Sequence, residues 1–176
     1  FEGNANVART TNILVVSSGQ PEFTLGTYDE PAVAAYIGQP VFVRVDDLDR
    51  DTSPNKDMLA VKIVSRYEKE PDDDSAFRGI SMASLLEDED SDKFEVRDEI
   101  TLQLTELATN APYHSSRFGA AFAIKPHVEG ISPDKADAVL ECALGDEIVV
   151  TYSDDLTIEG PGRKDRTAKI RVSGAI

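Results

Sequence analysis

Short runs with strict two-residue alternation, separated by turn residues, recur along this chain and point to β-structure. The clearest case spans residues 41–66, VFVRVDDLDRDTSPNKDMLAVKIVSR. Val41, Val43 and Val45 share one face while Phe42 and Arg44 take the other. Further on, Leu59, Val61 and Ile63 alternate with Ala60, Lys62 and Val64. Successive side chains of a strand point to opposite faces, so each run offers one apolar face to a core. The loop between the two runs is crowded with acids, Asp46, Asp47, Asp49, Asp51 and Asp57, together with Asn55 and the breaker Pro54.

The same pattern holds elsewhere. Residues 1–9 are polar, with Gly and Asn, and predict a flexible arm before a single domain over residues 10–176. Residues 10–17 read as a strand with apolar residues on both faces, which fits pairing within its own domain or donation of residues 6–17 to a neighbour's sheet edge. A short strand follows at residues 22–28, and residues 31–36 suit either a helical turn or a bent edge strand. Residues 67–95 form an acidic insertion in which Ile80, Ala83 and Leu86 lie one helical turn apart, predicting one short helix over residues 78–86.

Alternation returns with Ile100, Leu102 and Leu104, then Phe118, Phe122 and Ile124 against the small Gly119, Ala121 and Ala123, a face open to close approach. A one-turn helix is expected at residues 132–136. Residues 138–142 and 146–153 are expected to pair around Leu144-Gly145. Residues 154–166 read as a polar hairpin loop, and Ala168, Ile170 and Val172 as the inward face of the last strand. With no crossover helices available, such a series favours an all-β antiparallel sandwich over a parallel α/β sheet.

Composition narrows the function. Against 18 Lys and Arg stand 33 Asp and Glu, a net charge of −15 that repels nucleic acid and anionic membranes. No apolar run approaches the roughly 20 residues that span a bilayer. The lone Cys142 excludes an internal disulfide and is expected to be a buried, inert thiol. The chain opens at Phe1 without a methionine, as a processed or trimmed chain would, and it carries no Asn-x-Ser/Thr sequon.

Residues 41–65 resemble a phrase of very large secreted bacterial proteins, in which a strand ends in an acidic "V-x-D-x-D-x-N-x-x-P" loop before a Val/Thr-rich strand. Three further phrases fall in the same order: DEITLQLTELA from residue 98, SRFGAAFAI from residue 116 and LGDEIVVTYSDD from residue 144. The opening, residues 10–38, is similar to the same proteins' lead-in. The resemblance implies an immunoglobulin-like β-sandwich module of S-layer-like or adhesin-like surface proteins. Such modules are structural rather than catalytic. No tandem repeat is present, and the acidic insertion is longer than the usual link.

The acidic loop is the candidate metal site, because calcium takes six to eight oxygens and alternating Asp residues supply several from one loop. Asp47, Asp49 and Asp51 have the spacing that opens an EF-hand, but no Gly follows at the turn and Met58 stands where Glu is needed. Asp46, Asp47, Asp49, Asp51 and Asp57 are the expected ligands, with Asp154 or Asp155 from the far loop completing the set; a solvated acidic turn is the alternative. His114 beside Ser115 and Ser116 lacks a nucleophile elbow, and the absence of Trp removes the usual sugar platform. The expectation is a non-catalytic extracellular subunit that assembles with copies of itself or neighbouring domains, with calcium as the expected cofactor. A monomeric module that binds a carbohydrate or protein through its loops is the alternative.

Overall fold

The computed structural model describes residues 16–70 and 93–174. The described chain is all-β, with strands β1 (Gln20–Thr24), β2 (Ala35–Tyr36), β3 (Pro40–Asp46), β4 (Met58–Glu68) and β5 (Phe94–Glu106). β6 (Arg117–Pro126), β7 (Val139–Cys142), β8 (Glu147–Thr157) and β9 (Gly160–Ser173) complete it. Hydrogen bonding runs in one path, β1-β3-β6-β5-β4-β8-β9-β2, with β7 attached to β6. β5 and β6 are joined by only two residue pairs, Thr105↔Gly119 and Glu106↔Phe118, and there the sheet folds over on itself. The result is a curled half-barrel in which β1 comes back against β9. This path identifies the all-β class and does not go as far as an immunoglobulin arrangement.

The alternating faces meet as expected. Val43, Val45, Ile63, Leu104, Phe118, Ile148 and Val150 are fully buried in one core. β3 and β4, which flank the acidic loop in sequence, do not pair with each other. β3 lies between β1 and β6, β4 between β5 and β8, so the loop carries the chain from one side of the half-barrel to the other.

Several expectations need correction. Residues 138–142 and 146–153 do not pair around Leu144-Gly145; β7 runs parallel to β6, and β8 lies between β4 and β9. Buried side chains make this placement of β7 possible. Asp98 accepts from the Glu141 N–H at 2.8 Å, and the Ser65 hydroxyl donates to the Glu141 carbonyl at 2.6 Å. Nor is the sheet wholly antiparallel, since β2 also runs parallel to β9. Residues 154–166 are mostly strand rather than loop, because β8 and β9 stay paired to Thr157↔Gly160, where Gly160 has φ 125°. Residues 132–136 form turns and no helix: the Asp134 side chain accepts from the Ala136 N–H at 3.0 Å in place of helical bonding. The first short strand is β1, two residues earlier in starting and four shorter in reach than residues 22–28.

β4 and β5 pair out to Glu68↔Phe94, so both strands run into the acidic insertion from its ends. The helix expected over residues 78–86 and all but the last two residues of the strand expected over residues 10–17 lie outside the described residues. Those last two, Val16 and Ser17, are not in a strand.

The small-residue face of β6 is approached closely, but by a side chain. The residue 26–30 turn lays Tyr28, at φ 62°, over the outer face of β3 and β6. Its ring packs edge-on to Phe42 at 5.6 Å, and its carbonyl accepts from Arg44 at 2.5 Å. A Cβ on Gly119 would stand 2.8 Å from the Tyr28 ring and 3.0 Å from Leu107. Gly119→Ala is therefore expected to cost about 1–3 kcal/mol in thermal or denaturant unfolding, and an unchanged midpoint would contradict this packing.

Candidate metal centre

Both core-forming strands that reach this site carry their inward parity one step past the apolar residues. On β3 the inward series Val41, Val43, Val45 continues to Asp47; on β8 the series Ile148, Val150, Tyr152 continues to Asp154. Both carboxylates are therefore drawn inside, each only 1% exposed. Asp47 also caps a 3-10 turn, Leu48–Arg50, which swings Asp49 round beside it. One carboxylate oxygen from each of Asp47, Asp49 and Asp154 lies within 4.8 Å of the others.

The three carboxylates converge on the segment leading into β1. Asp49 accepts from the Ser17 N–H at 3.0 Å, and Asp47 from the Ser17 hydroxyl at 2.9 Å. Asp154 accepts from the Gly19 N–H at 2.8 Å and the Leu156 N–H at 3.1 Å. The Tyr152 hydroxyl donates to Asp47 at 2.6 Å and accepts from Arg50 Nε at 3.1 Å. A side chain at position 19 is impossible without rearrangement, since a Cβ there would sit 2.2 Å from the Tyr152 ring.

Burial pushes the Asp47 carboxyl up from its ordinary range, an effect the Tyr152 and Ser17 hydrogen bonds oppose and the neighbouring Asp49 charge reinforces. Burial, and then the bond to Asp47, push the Tyr152 phenol up as well, so it keeps its proton as a donor. Three carboxylates this close, two of them buried, form a hard all-oxygen donor set of the kind that divalent cations take. Arg50 supplies part of the compensating charge through Tyr152.

The other four expected ligands lie apart from this cluster. Asp46 faces outward to Arg44 at 3.0 Å and Arg117 at 3.6 Å. Asp51 pairs with His114 at 2.8 Å and holds that imidazole above its ordinary range. Asp57 accepts from the backbone and hydroxyl groups of Thr52 and Ser53, which together outweigh burial and lower its pKa. Asp155 is exposed, with Arg50 at 3.6 Å. Ser17, Gly19 and Tyr152 were not among the expected site residues. For Tyr152 the signal was its place two residues before Asp154, on the same face.

The remaining reactive side chains are held quiet. Burial, with Asp146 adding to it, pushes the Cys142 thiol up to about 12, so it is protonated at neutral pH. His127 pairs with Glu141 at 3.0 Å, and the Ser115 N–H beside His114 donates to the buried Glu106. No protein-family model matches the chain, and no curated protein matches it.

Replacing Tyr152 by Phe removes the donor to a buried carboxylate while keeping the ring. Tyr152→Phe is expected to lower stability by about 1–3 kcal/mol in chemical denaturation; a wild-type midpoint would show that Asp47 does not depend on that bond.

Proposed function

We propose that this chain is a non-catalytic, extracellular structural module that associates with copies of itself or with neighbouring domains, stiffened by calcium at Asp47, Asp49 and Asp154. The observation that carries the reading is the convergence of those three carboxylates on Ser17 and Gly19. They tie the lead-in to β1 to the β3–β4 loop and to β8, three parts of the chain that a load would otherwise separate. Calcium suits such a site better than magnesium, because it accepts irregular geometry and six to eight oxygens, whereas magnesium demands a near-ideal octahedron. The protonated Cys142 and the ion-paired histidines support a role without catalysis. The resemblance of four ordered phrases to surface-protein modules supports an extracellular setting.

The sign of the pH effect follows from Asp47. A carboxyl whose folded pKa is raised binds its proton more tightly in the folded state, so it favours folding at low pH and opposes it once pH passes its ordinary value near 3.8. A cation at neutral pH lifts that opposition. With a dissociation constant near the 0.1 mM of extracellular calcium modules, 10 mM calcium stabilises by about 2.7 kcal/mol, or roughly 5–10 °C. Asp49→Asn should abolish that gain while leaving the chelated protein folded.

Sedimentation velocity in millimolar calcium and then in chelator tests the assembly reading. Large species that dissolve on chelation are expected. A sharp monomer in both buffers would overturn it and favour a monomeric binding module.

A further inference from the structure

At the end of β3 away from the acidic cluster lies a cavity of about 200 Å³. It forms where the last residue of β1, the start of β3, β2 and β9 come together. Val41 and Ile170 reach it from the core, and Phe42 gives it an aromatic wall. The space exists because the facing wall is built from Ala32, Ala34 and Ala35, where longer side chains would fill it. That wall is fastened to the strands on either side. Ala32 N–H donates to the Phe23 carbonyl at 2.9 Å, Leu25 N–H to the Glu30 carbonyl at 2.8 Å and Gln39 N–H to the Tyr36 carbonyl at 3.0 Å. Ala35 and Tyr36 also pair with Val172 and Ser173 of β9. The cavity is therefore preformed, and the exposed Leu25 and Gln39 stand where it opens to solvent.

Two features give the cavity a chemistry. None of its lining residues is Asp, Glu, Lys, Arg or His, in a chain of which 29% is charged. An ion entering it would shed water and gain no counter-charge, and a sugar would leave most of its hydroxyls against carbon. The second feature is Thr24, which lines the cavity, is 2% exposed, and has no hydrogen-bond partner for its hydroxyl. The other such buried atoms among the described residues are Arg44 Nε, Asp46 Oδ1 and Arg166 Nε. Each belongs to a side chain that is ion-paired through another atom. The Thr24 hydroxyl is that side chain's single polar atom. Valine has nearly the same shape, so packing alone does not call for a hydroxyl there.

We propose that this cavity binds a small neutral molecule of the phenol class, its oxygen paired with the Thr24 hydroxyl and its ring against Phe42 and the alanines. An apolar cavity of roughly 150 Å³ already admits benzene, so the volume suits a single ring. The inference is independent of calcium and of self-association. The seven residues of β3 put about 20 Å between Pro40, at the cavity, and Asp46, beside the acidic cluster.

The test is NMR titration of the full chain with p-cresol, toluene and benzoate, following backbone amides. p-Cresol is expected to shift the Thr24, Gly26, Tyr36 and Gln39 amides and to saturate with a dissociation constant of about 1 mM or below. Toluene should move the same amides, and benzoate should leave them in place. Thr24→Val should weaken p-cresol about tenfold, hold toluene within about twofold and leave the thermal midpoint no lower than wild type. Ala34→Leu, which fills the cavity, should abolish binding of both. No shift at these amides with either neutral probe would overturn the site. Unchanged p-cresol affinity in Thr24→Val would overturn the role of the hydroxyl. Equal weakening of p-cresol and toluene would show that valine distorts the cavity and would overturn that hydrogen bond as well. Benzoate binding as tightly as p-cresol would overturn the neutral ligand class.

Discussion

The carboxylate of Asp47 is the contact on which the upper end of the half-barrel depends. A buried charge is costly unless donors surround it. Here the donors come from the adjoining turn, through Asp49 N–H, and from two distant stretches, Ser17 of the lead-in and Tyr152 of β8. Satisfying one group therefore fixes the relative positions of all three. The loop from β3 to β4 must cross between the two sides of the sheet, and Asp47 gives that crossing a fixed address. Gly19 then lies flat against the Tyr152 ring because nothing larger fits.

The same device recurs wherever the curled sheet lacks a backbone ladder to hold a passing segment. Asp98 receives the N–H groups of Glu141 and Glu99 and so anchors β7 beside β5. Glu106 receives those of Asp57 and Ser115, joining the two loops at the end of β5. Asp146 receives the Ala143 N–H and pairs with Arg97, fastening the turn before β8. Asp98, Glu106 and Asp146 are each at most 2% exposed. Part of the chain's acidic excess is therefore structural: carboxylates replace missing strand partners for backbone donors.

The strands were legible because their alternation is nearly unbroken, and the inward residues of β3, β4, β6, β8 and β9 were the ones expected. The partnerships were harder to read. β7 looked like half of a hairpin with β8, and nothing local shows that Asp98 and Ser65 would capture its edge instead. At the site, the acidic loop was the right place, yet proximity in sequence was a poor guide to membership. Asp46 and Asp155 sit beside true cluster members but have the opposite parity and face solvent or arginines. Counting parity onward from Val45 and Tyr152 selects Asp47 and Asp154. Asp49 joins through the 3-10 turn, and the contribution of Ser17 and Gly19 needs the tertiary fold to be seen.

The central claim is that buried carboxylates hold the segment before β1 in place. Hydrogen exchange at the Gly19 amide, followed by NMR, tests it most directly, because that N–H has Asp154 as its acceptor at 2.8 Å. The account predicts protection comparable to amides of β3 and β8, lost selectively in Asp154→Ala while those strands stay protected. Exchange of Gly19 at the rate of a free peptide in the wild-type chain, with β3 and β8 protected, would contradict it.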